Sequence, residues 1–230
     1  MDNIFGTDGI RGVFGAELNC GSAYLLGAAL CGADGDSPVV VVGRDTRPSG
    51  EELMRALAKG VHDNGGYVIN IGILPTNAVA YFTRKMGCDF GVMISASHNP
   101  PEYNGLKMMI GGITLFADQI QGILARIRNE DWRTAEVPGT IRREDVVPAY
   151  LERVLSDVRL ERSMRIAIDA GNGVAGPVAA RLFKSLGCEV TELFTDVDGT
   201  FPNHHPDPSK PANLEDLKKA VLEDGIELGL

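Results

Sequence analysis

The sequence predicts an α/β protein of two related three-layer α/β/α domains, each on a mostly parallel mixed sheet, the second domain incomplete. Three observations carry this reading. Short β-branched runs such as Val39-Val40-Val41-Val42 end in glycine-rich turns and lead into stretches of helical periodicity. The order strand, acidic-glycine turn, helix, glycine stop, strand occurs twice, over Val39–Ile71 and over Arg165–Phe194. Strands alternating with helices imply parallel pairing through right-handed crossovers. The run Ile226-Glu227-Leu228-Gly229-Leu230 reads as a strand on which the given sequence stops.

Taken in order, Phe5 to Gly12 is turn chemistry around one arginine, Arg11. Ala23 to Leu30 reads as helix, and Pro38 to Val42 as a buried strand closed by Gly43-Arg44-Asp45-Thr46-Arg47-Pro48-Ser49-Gly50. Glu51 to Asn64 is helical by the spacing of Leu53, Leu57 and Val61, and Gly65-Gly66 stops it. Tyr67 to Ile71 is the next strand, Asn77 to Met86 a helix, and Phe90 to Ile94 a strand that ends before Ser97. The Asn-Pro-Pro and Asn-Gly that follow are expected to break it. Lys107 to Ile110 is a strand leaving that loop, and Asp118 to Asn129 an amphipathic helix. Asp131 to Arg143 is polar without a period, so a boundary falls near Ile141 to Pro148, giving domains 1–145 and 146–230. The second domain reads as helix Val146–Leu155, strand Arg165–Ile168, glycine-rich turn Asp169–Gly176, helix Pro177–Leu186 and strand Cys188–Leu193. A proline- and histidine-rich loop, Phe201–Pro211, then precedes the helix Leu214–Glu223.

The bulk numbers exclude several classes. A net charge of −9 over 230 residues argues against nucleic-acid or anionic-membrane partners. Mean hydropathy is −0.01 and no long apolar run occurs, so no transmembrane span is expected. Met1-Asp2-Asn3 opens no secretory signal. Cys20, Cys31, Cys88 and Cys188 form no CxxC pair, which suits four reduced thiols in a cytoplasmic protein better than zinc or disulfides.

The chemistry concentrates in Ile94-Ser95-Ala96-Ser97-His98-Asn99-Pro100-Pro101-Glu102-Tyr103-Asn104-Gly105-Leu106-Lys107. A hydroxyl on a tight loop after a core strand, with His98 beside it and Lys107 ten residues on, is a candidate for covalent catalysis. Adjacent Ser97 and His98 are expected to point apart, so no triad follows from their spacing. No G-x-S-x-G elbow surrounds Ser97, so acyl transfer fits poorly. Phosphoryl transfer fits better, because it asks for an oxygen that carries phosphate and for cations around it. A structural Ser-His-Asn turn remains the plain alternative. The arginines of Gly43–Gly50 can serve a phosphate directly, hold a neighbouring loop, or pair with Asp45.

Two further motifs invite other readings. Gly171-Asn172-Gly173-Val174-Ala175-Gly176 matches G-x-G-x-x-G between a strand and a helix, with Glu192 at the end of the next strand. Against a dinucleotide site stand the negative Asp169 just before it, the turn preference of Asn172, and the repeat, which makes this unit an echo of the Arg44 unit. His204-His205 resembles a metal tract, but without a Cys or Glu at helical spacing it suits a proline-stiffened loop contacting ligand or another domain.

Together these runs resemble the α-D-phosphohexomutase family, whose members include phosphoglucosamine mutase, phosphomannomutase and phosphoglucomutase. Ile94 to Pro100 is similar to its phosphoserine signature, and Phe5 to Gly12, Asp169 to Gly176 and Asn203 to Pro211 are similar to other family segments, in the family's order. The resemblance implies an isomerase. Ser97 carries a phosphoryl group, donates it to a hexose phosphate to give a bisphosphorylated sugar, and takes back the other phosphate. Lys107 and Arg11 are similar to residues that assist proton transfer at the sugar hydroxyl. His98 is expected to position the phosphate or substrate, and Thr7, Arg44, Asn99 and Asn104 to bind substrate or phosphate. The phosphate on Ser97 is expected to bind Mg²⁺.

The family's D-G-D-x-D-R type metal loop has no counterpart between Asp169 and Leu230. The two later domains that select the sugar have none either. The sequence therefore reads as the N-terminal portion of a mutase, expected to be inactive alone and to leave self-association open through the incomplete second domain. Phe5 to Gly12 leans towards phosphoglucosamine mutase and Asn203 to Pro208 towards phosphomannomutase and phosphoglucomutase, so the sugar stays open. The alternatives are a NAD-binding oxidoreductase module on Gly171–Gly176, or a non-catalytic sugar-phosphate-binding protein of the same fold.

Overall fold

The computed structural model describes residues 5–6, 9–32, 37–132, 134–223 and 225–230. The chain divides into two compact units, Met1–Asp145 and Val146–Leu230. The first holds strands β1 (Ile10–Val13), β2 (Val39–Arg44), β3 (Tyr67–Ile73), β4 (Phe90–Ile94), β5 (Tyr103–Ile110), β6 (Ile113–Thr114) and β7 (Thr140–Arg143). Its helices are α1 (Cys20–Cys31), α2 (Gly50–Asp63), α3 (Thr76–Lys85) and α4 (Asp118–Arg128). The sheet runs β1-β5-β4-β2-β3-β7, with β6 beside β5. β2, β3, β4 and β7 are parallel to one another, whereas β5 runs antiparallel to both β4 and β1.

The continuous valine run of β2 follows from its central place, because a strand covered by helices on both faces can be apolar throughout. Val40 and Val42 join the cluster built from α1, α2 and α4, with Leu26, Leu57 and Leu124 among its fully or nearly fully buried members. The opposite face receives α3, where Val79 stands so close to Gly43 that a Cβ there would lie 2.7 Å from its Cγ2. Helices α1 and α2 cross at glycines: a Cβ on Gly60 would lie 2.1 Å from the Tyr24 carbonyl oxygen, so any larger residue would push the helices apart. Helix α1 starts earlier than its apolar run suggests, because Asn19 caps it. The Asn19 side chain accepts from the Ser22 amide at 3.0 Å, and the Ser22 hydroxyl accepts from the Asn19 amide at 3.0 Å.

The structure corrects three expectations in this unit. Phe5 to Gly12 is not turn throughout: Ile10–Val13 is a strand paired with Tyr103–Leu106. The strand leaving the Ser97 loop begins at Tyr103, ahead of the expected Lys107, and so holds Asn104-Gly105 inside it. Thr140–Arg143, read as featureless polar chain, is an exposed edge strand parallel to β3. An edge strand buries little, so it needs no apolar alternation to form.

The second unit holds α5 (Val147–Asp157), β8 (Arg165–Asp169), α6 (Gly176–Ser185), β9 (Glu189–Leu193), a 3-10 turn Pro211–Leu214, α7 (Glu215–Glu223) and β10 (Leu228–Gly229). Its sheet runs β10-β8-β9, all parallel, over a core of Ile166, Ile168 and Cys188. The two units share a topology. In each, a first strand (β2 or β8) lies between two parallel neighbours, the next strand on one side (β3 or β9) and a later one on the other (β4 or β10). No described helix is long and apolar enough to cross a membrane.

Candidate active site

Ser97 stands where the sheet reverses direction. β4 ends at Ile94, and the chain turns through residues 95–102 and returns as the antiparallel β5. The loop lies beside the carboxyl end of β2, tied there by the Asp45 amide donating to the Ile94 carbonyl at 2.9 Å. Ser97 is exposed and adopts φ 59°, the left-handed region that a residue with a Cβ occupies only at a cost of about 1–2 kcal/mol. This conformation overturns the expectation that Ser97 and His98 point apart: the Ser97 Oγ and His98 Nδ1 atoms are 3.3 Å from each other.

The strain is held by a small network beneath the loop. The Ser97 amide donates to the Ser95 hydroxyl at 3.0 Å, and that hydroxyl donates to Asp45 Oδ2 at 2.7 Å. The same carboxylate accepts from the Arg47 amide and the Arg47 Nε, each at 3.0 Å. Arg47 is fully buried. Its Nη2 donates to the carbonyls of Ser97 and Asn99 at 2.9 and 2.6 Å, and its Nη1 to those of Pro100 and Tyr103. Burial pushes the Arg47 pKa down and the nearby Arg11 charge adds to this, against the opposing pull of Asp45 and Glu102. Guanidinium is so basic that the group stays charged.

The two arginines of Gly43–Gly50 thus part company. Arg47 holds the neighbouring loop and pairs with Asp45. Arg44, assigned from sequence to phosphate binding, places its Nη2 3.2 Å from Glu51 at the start of α2 and donates from Nη1 to the Asp45 carbonyl at 3.2 Å. Asn104 was given the same expected role. It is completely buried, its Nδ2 donates to the Ser49 hydroxyl at 2.9 Å and its Oδ1 accepts from the Gly105 amide at 2.8 Å, so it supports the loop from below. Ser49 precedes the first residue of α2. It holds that position with αR geometry but no capping bond, because its hydroxyl serves Asn104. Asn99 contributes its carbonyl to Arg47 and its amide to Ala96 at 3.2 Å, and its side chain is half-buried. Thr7 lies outside the described residues.

The cations come from β1 and β5. Arg11 sits directly opposite Gly105, and Lys107 two residues further along β5, opposite Met93. Directly paired residues and residues two apart share a face, so Arg11 and Lys107 project from the same side of the sheet. Gly105 makes this pairing possible: a Cβ there would lie 2.6 Å from the Ile10 carbonyl oxygen and 2.8 Å from that of Ser95. Ser95, Asp45 and Arg47 were not selected from sequence as site residues. The signal for Arg47 was its place before Pro48 at a strand's carboxyl end, which it shared with Arg44.

In the second unit, the amides of Gly171, Asn172 and Gly173 are spent within the protein. The Gly171 amide donates to Asp169 Oδ1 at 2.9 Å, Asn172 to the Phe194 carbonyl at 2.8 Å and Gly173 to the Ala170 carbonyl at 2.8 Å. Asn172, at φ 58°, is buried, donating to the Asp196 carbonyl and accepting from Asn203. His204 Nε2 lies 3.0 Å from Asp169 Oδ2, and its Nδ1 3.1 Å from the His205 carbonyl. Burial alone would lower the His204 pKa. The His205 carbonyl, the Asp169 hydrogen bond and charge, and the Asp216 charge outweigh it and raise it. With both ring nitrogens facing acceptors, protonation of the ring is favoured, and a protonated ring has no lone pair for a metal. A cavity of about 170 Å³ adjoins this pair, lined by Asp169, His204, Pro206, Leu214 and Leu217 among others.

Among the described residues no group of three His, Cys, Asp or Glu side chains could hold a metal ion. Ser97, with a phosphate attached, would supply one ligand only, so the described residues do not by themselves fit Mg²⁺.

Comparison with known proteins gives two family matches. The phosphoglucomutase/phosphomannomutase α/β/α domain I matches residues 2–134, and domain II of the same family matches residues 148–230. A phosphoglucomutase of Neisseria meningitidis serogroup B is 46% identical over 231 residues, covering 99% of this chain and 50% of its own length. A phosphomannomutase/phosphoglucomutase of Pseudomonas putida is 44% identical, covering 100% of this chain and 50% of its own length. A crystal structure of a phosphoglucomutase/phosphomannomutase family protein from Burkholderia thailandensis superposes with a TM-score of 0.88 at 43% identity, covering 100% of this chain and 52% of that one. The chain thus spans about half the length of the curated relatives it matches.

Proposed function

The chain belongs to the phosphoglucomutase/phosphomannomutase family, and from that premise we propose that it carries the phosphoryl-transferring serine of a hexose-phosphate isomerase. The observation that carries the reading is Ser97: an exposed hydroxyl at a strand reversal, on a loop held in a strained conformation, with Arg11 and Lys107 on one face of the adjoining strands. The family relation supports the same role. The reading opposed to it, a dinucleotide site on Gly171–Gly176, loses support because the amides named above are spent within the protein.

In the proposed reaction Ser97 begins as a phosphoserine. A hydroxyl oxygen of the sugar phosphate forms a bond to the Ser97-borne phosphorus as the Oγ–phosphorus bond breaks, giving a bisphosphorylated sugar and a free serine. The reverse transfer of the other phosphate restores the phosphoserine and releases the isomer. Arg11 and Lys107 offset the charge on the transferring group and assist removal of the hydroxyl proton. His98, 3.3 Å from Oγ, can hold the proton that Oγ gains as it loses the phosphoryl group. A divalent cation on the phosphoserine would offset charge in the same place. The described residues do not supply its site, and no step is assigned to it. The substrate class is hexose 1- and 6-phosphates, with glucose and mannose favoured by the names of the relatives.

The test is mass spectrometry of the Ser97 peptide together with mutase assays of the natural gene product. Phosphate on Ser97, its exchange with a hexose bisphosphate, and loss of turnover in Ser97→Ala are expected. Full activity in Ser97→Ala, or a serine that no hexose bisphosphate can label, would overturn the proposal.

A further inference from the structure

We infer that Arg47 is a positioning residue for phosphoryl transfer, acting as the template on which the Ser97 loop is wound; this rests on the role proposed for Ser97. A guanidinium has five N–H donors in a fixed planar fork. All five are used. Nε meets Asp45 Oδ2 at 3.0 Å, Nη2 meets Ser97 O and Asn99 O, and Nη1 meets Tyr103 O and Pro100 O. Four of these acceptors are carbonyls spread along residues 97–103, so one side chain fixes three peptide planes of the loop and the first of β5. A fully buried charge keeps such partners firmly, because releasing any one leaves a donor unpaired in a water-poor site.

The arrangement also sets the polarity of the loop. With their oxygens drawn inward to Arg47, these four carbonyls are turned from the side on which Ser97 is exposed. In a trans peptide the N–H points opposite to the C=O. The His98 amide therefore points away from the guanidinium, whereas the peptide that follows Asn99 ends in Pro100 and has no N–H to compete. Lysine cannot reproduce this, having three donors on one nitrogen and no planar fork. The left-handed φ of Ser97 has the same origin, since Arg47 grips the Ser97 carbonyl while Ser95 grips the Ser97 amide.

The test compares Arg47→Ala and Arg47→Lys with wild type and Ser97→Ala in the natural gene product. Both Arg47 variants should lose about 100-fold in kcat, the scale of a misplacement of about 1 Å, with KM for the sugar phosphate within about threefold. Added guanidinium chloride at low millimolar concentration should restore kcat to Arg47→Ala but not to Arg47→Lys. Helical circular dichroism retained in either variant identifies a folded protein. A folded Arg47→Lys with kcat within threefold of wild type overturns the inference. So does a loss that appears wholly in KM, or a failure of both variants to fold, which would make Arg47 a residue of the fold alone. An inactive wild type, or an active Ser97→Ala, would instead sink the role of Ser97 and is recognised separately.

Discussion

Asp45→Asn should destabilise the first unit by about 3 kcal/mol, near the low end of what removing one partner of a buried ion pair costs. The carboxylate is 13% exposed and accepts three hydrogen bonds, two from Arg47 and one from Ser95. An asparagine keeps one acceptor oxygen, but in either orientation its amide group would face an Arg47 donor, the backbone N–H at one position or Nε at the other. Four loop carbonyls still solvate the guanidinium, which is why the low end applies. The measurement is urea unfolding read by the fluorescence of the protein's single tryptophan. Trp132 packs against the core of the first unit and so reports on that unit. At a slope of about 2 kcal/mol per molar urea, the midpoint should fall by about 1.5 M with the slope unchanged. A fall below about 0.3 M, well under 1 kcal/mol on that slope, would show that Arg47 does not depend on the Asp45 charge, and the account of the buried network would fail.

Gly105→Ala should cost about 1–3 kcal/mol by overpacking, because both atoms its Cβ would meet are backbone oxygens that cannot rotate away. The same fluorescence titration checks it, and a change under about 0.5 kcal/mol, the range of a neutral surface substitution, would refute the close pairing of β1, β5 and Ser95. For His204 the folded pKa is raised above the ordinary value of 6.5. The Asp169 pair therefore stabilises the second unit fully below 6.5, and this contribution is lost as pH climbs through the raised folded value. Hydrogen exchange in β8 and β9 should show a protection difference between wild type and His204→Gln of about 1.5 kcal/mol at low pH, shrinking as pH rises. A difference that grows with pH would reverse the sign of the argument.

Much of the fold was legible because burial leaves a pattern. The valines of β2, the leucine spacing of α2 and the run Phe90–Ile94 each signal their element directly. The two-fold use of one strand order also showed in the repeat of strand, turn, helix and glycine. What failed to show is pairing decided elsewhere. Ile10–Val13 is a strand because β5 accepts it, and Gly12, Asn104 and Gly105 look like turn residues until the two are laid together. β7 buries nothing and so carries no apolar signal. Within the site, the serine, histidine and lysine were visible as chemistry, whereas the division of labour between Arg44 and Arg47 was not. The two residues lie three apart in one turn, and only depth separates a fully buried arginine from one that meets Glu51 at the surface. The adjacency of Ser97 and His98 misled for a related reason, since it takes a left-handed backbone to bring neighbouring side chains onto one side.

A ribosome delivers the strands of the larger sheet in an order that leaves the first one waiting. β2 can receive β3 on one side and β4 on the other as each emerges, and β5 then folds back beside β4. Ile10–Val13, made before all of them, has β5 as its partner in the ladder. Until Tyr103–Ile110 clears the exit tunnel, Arg11 has no strand to hold it, and it is the return of that same segment that closes the loop bearing Ser97.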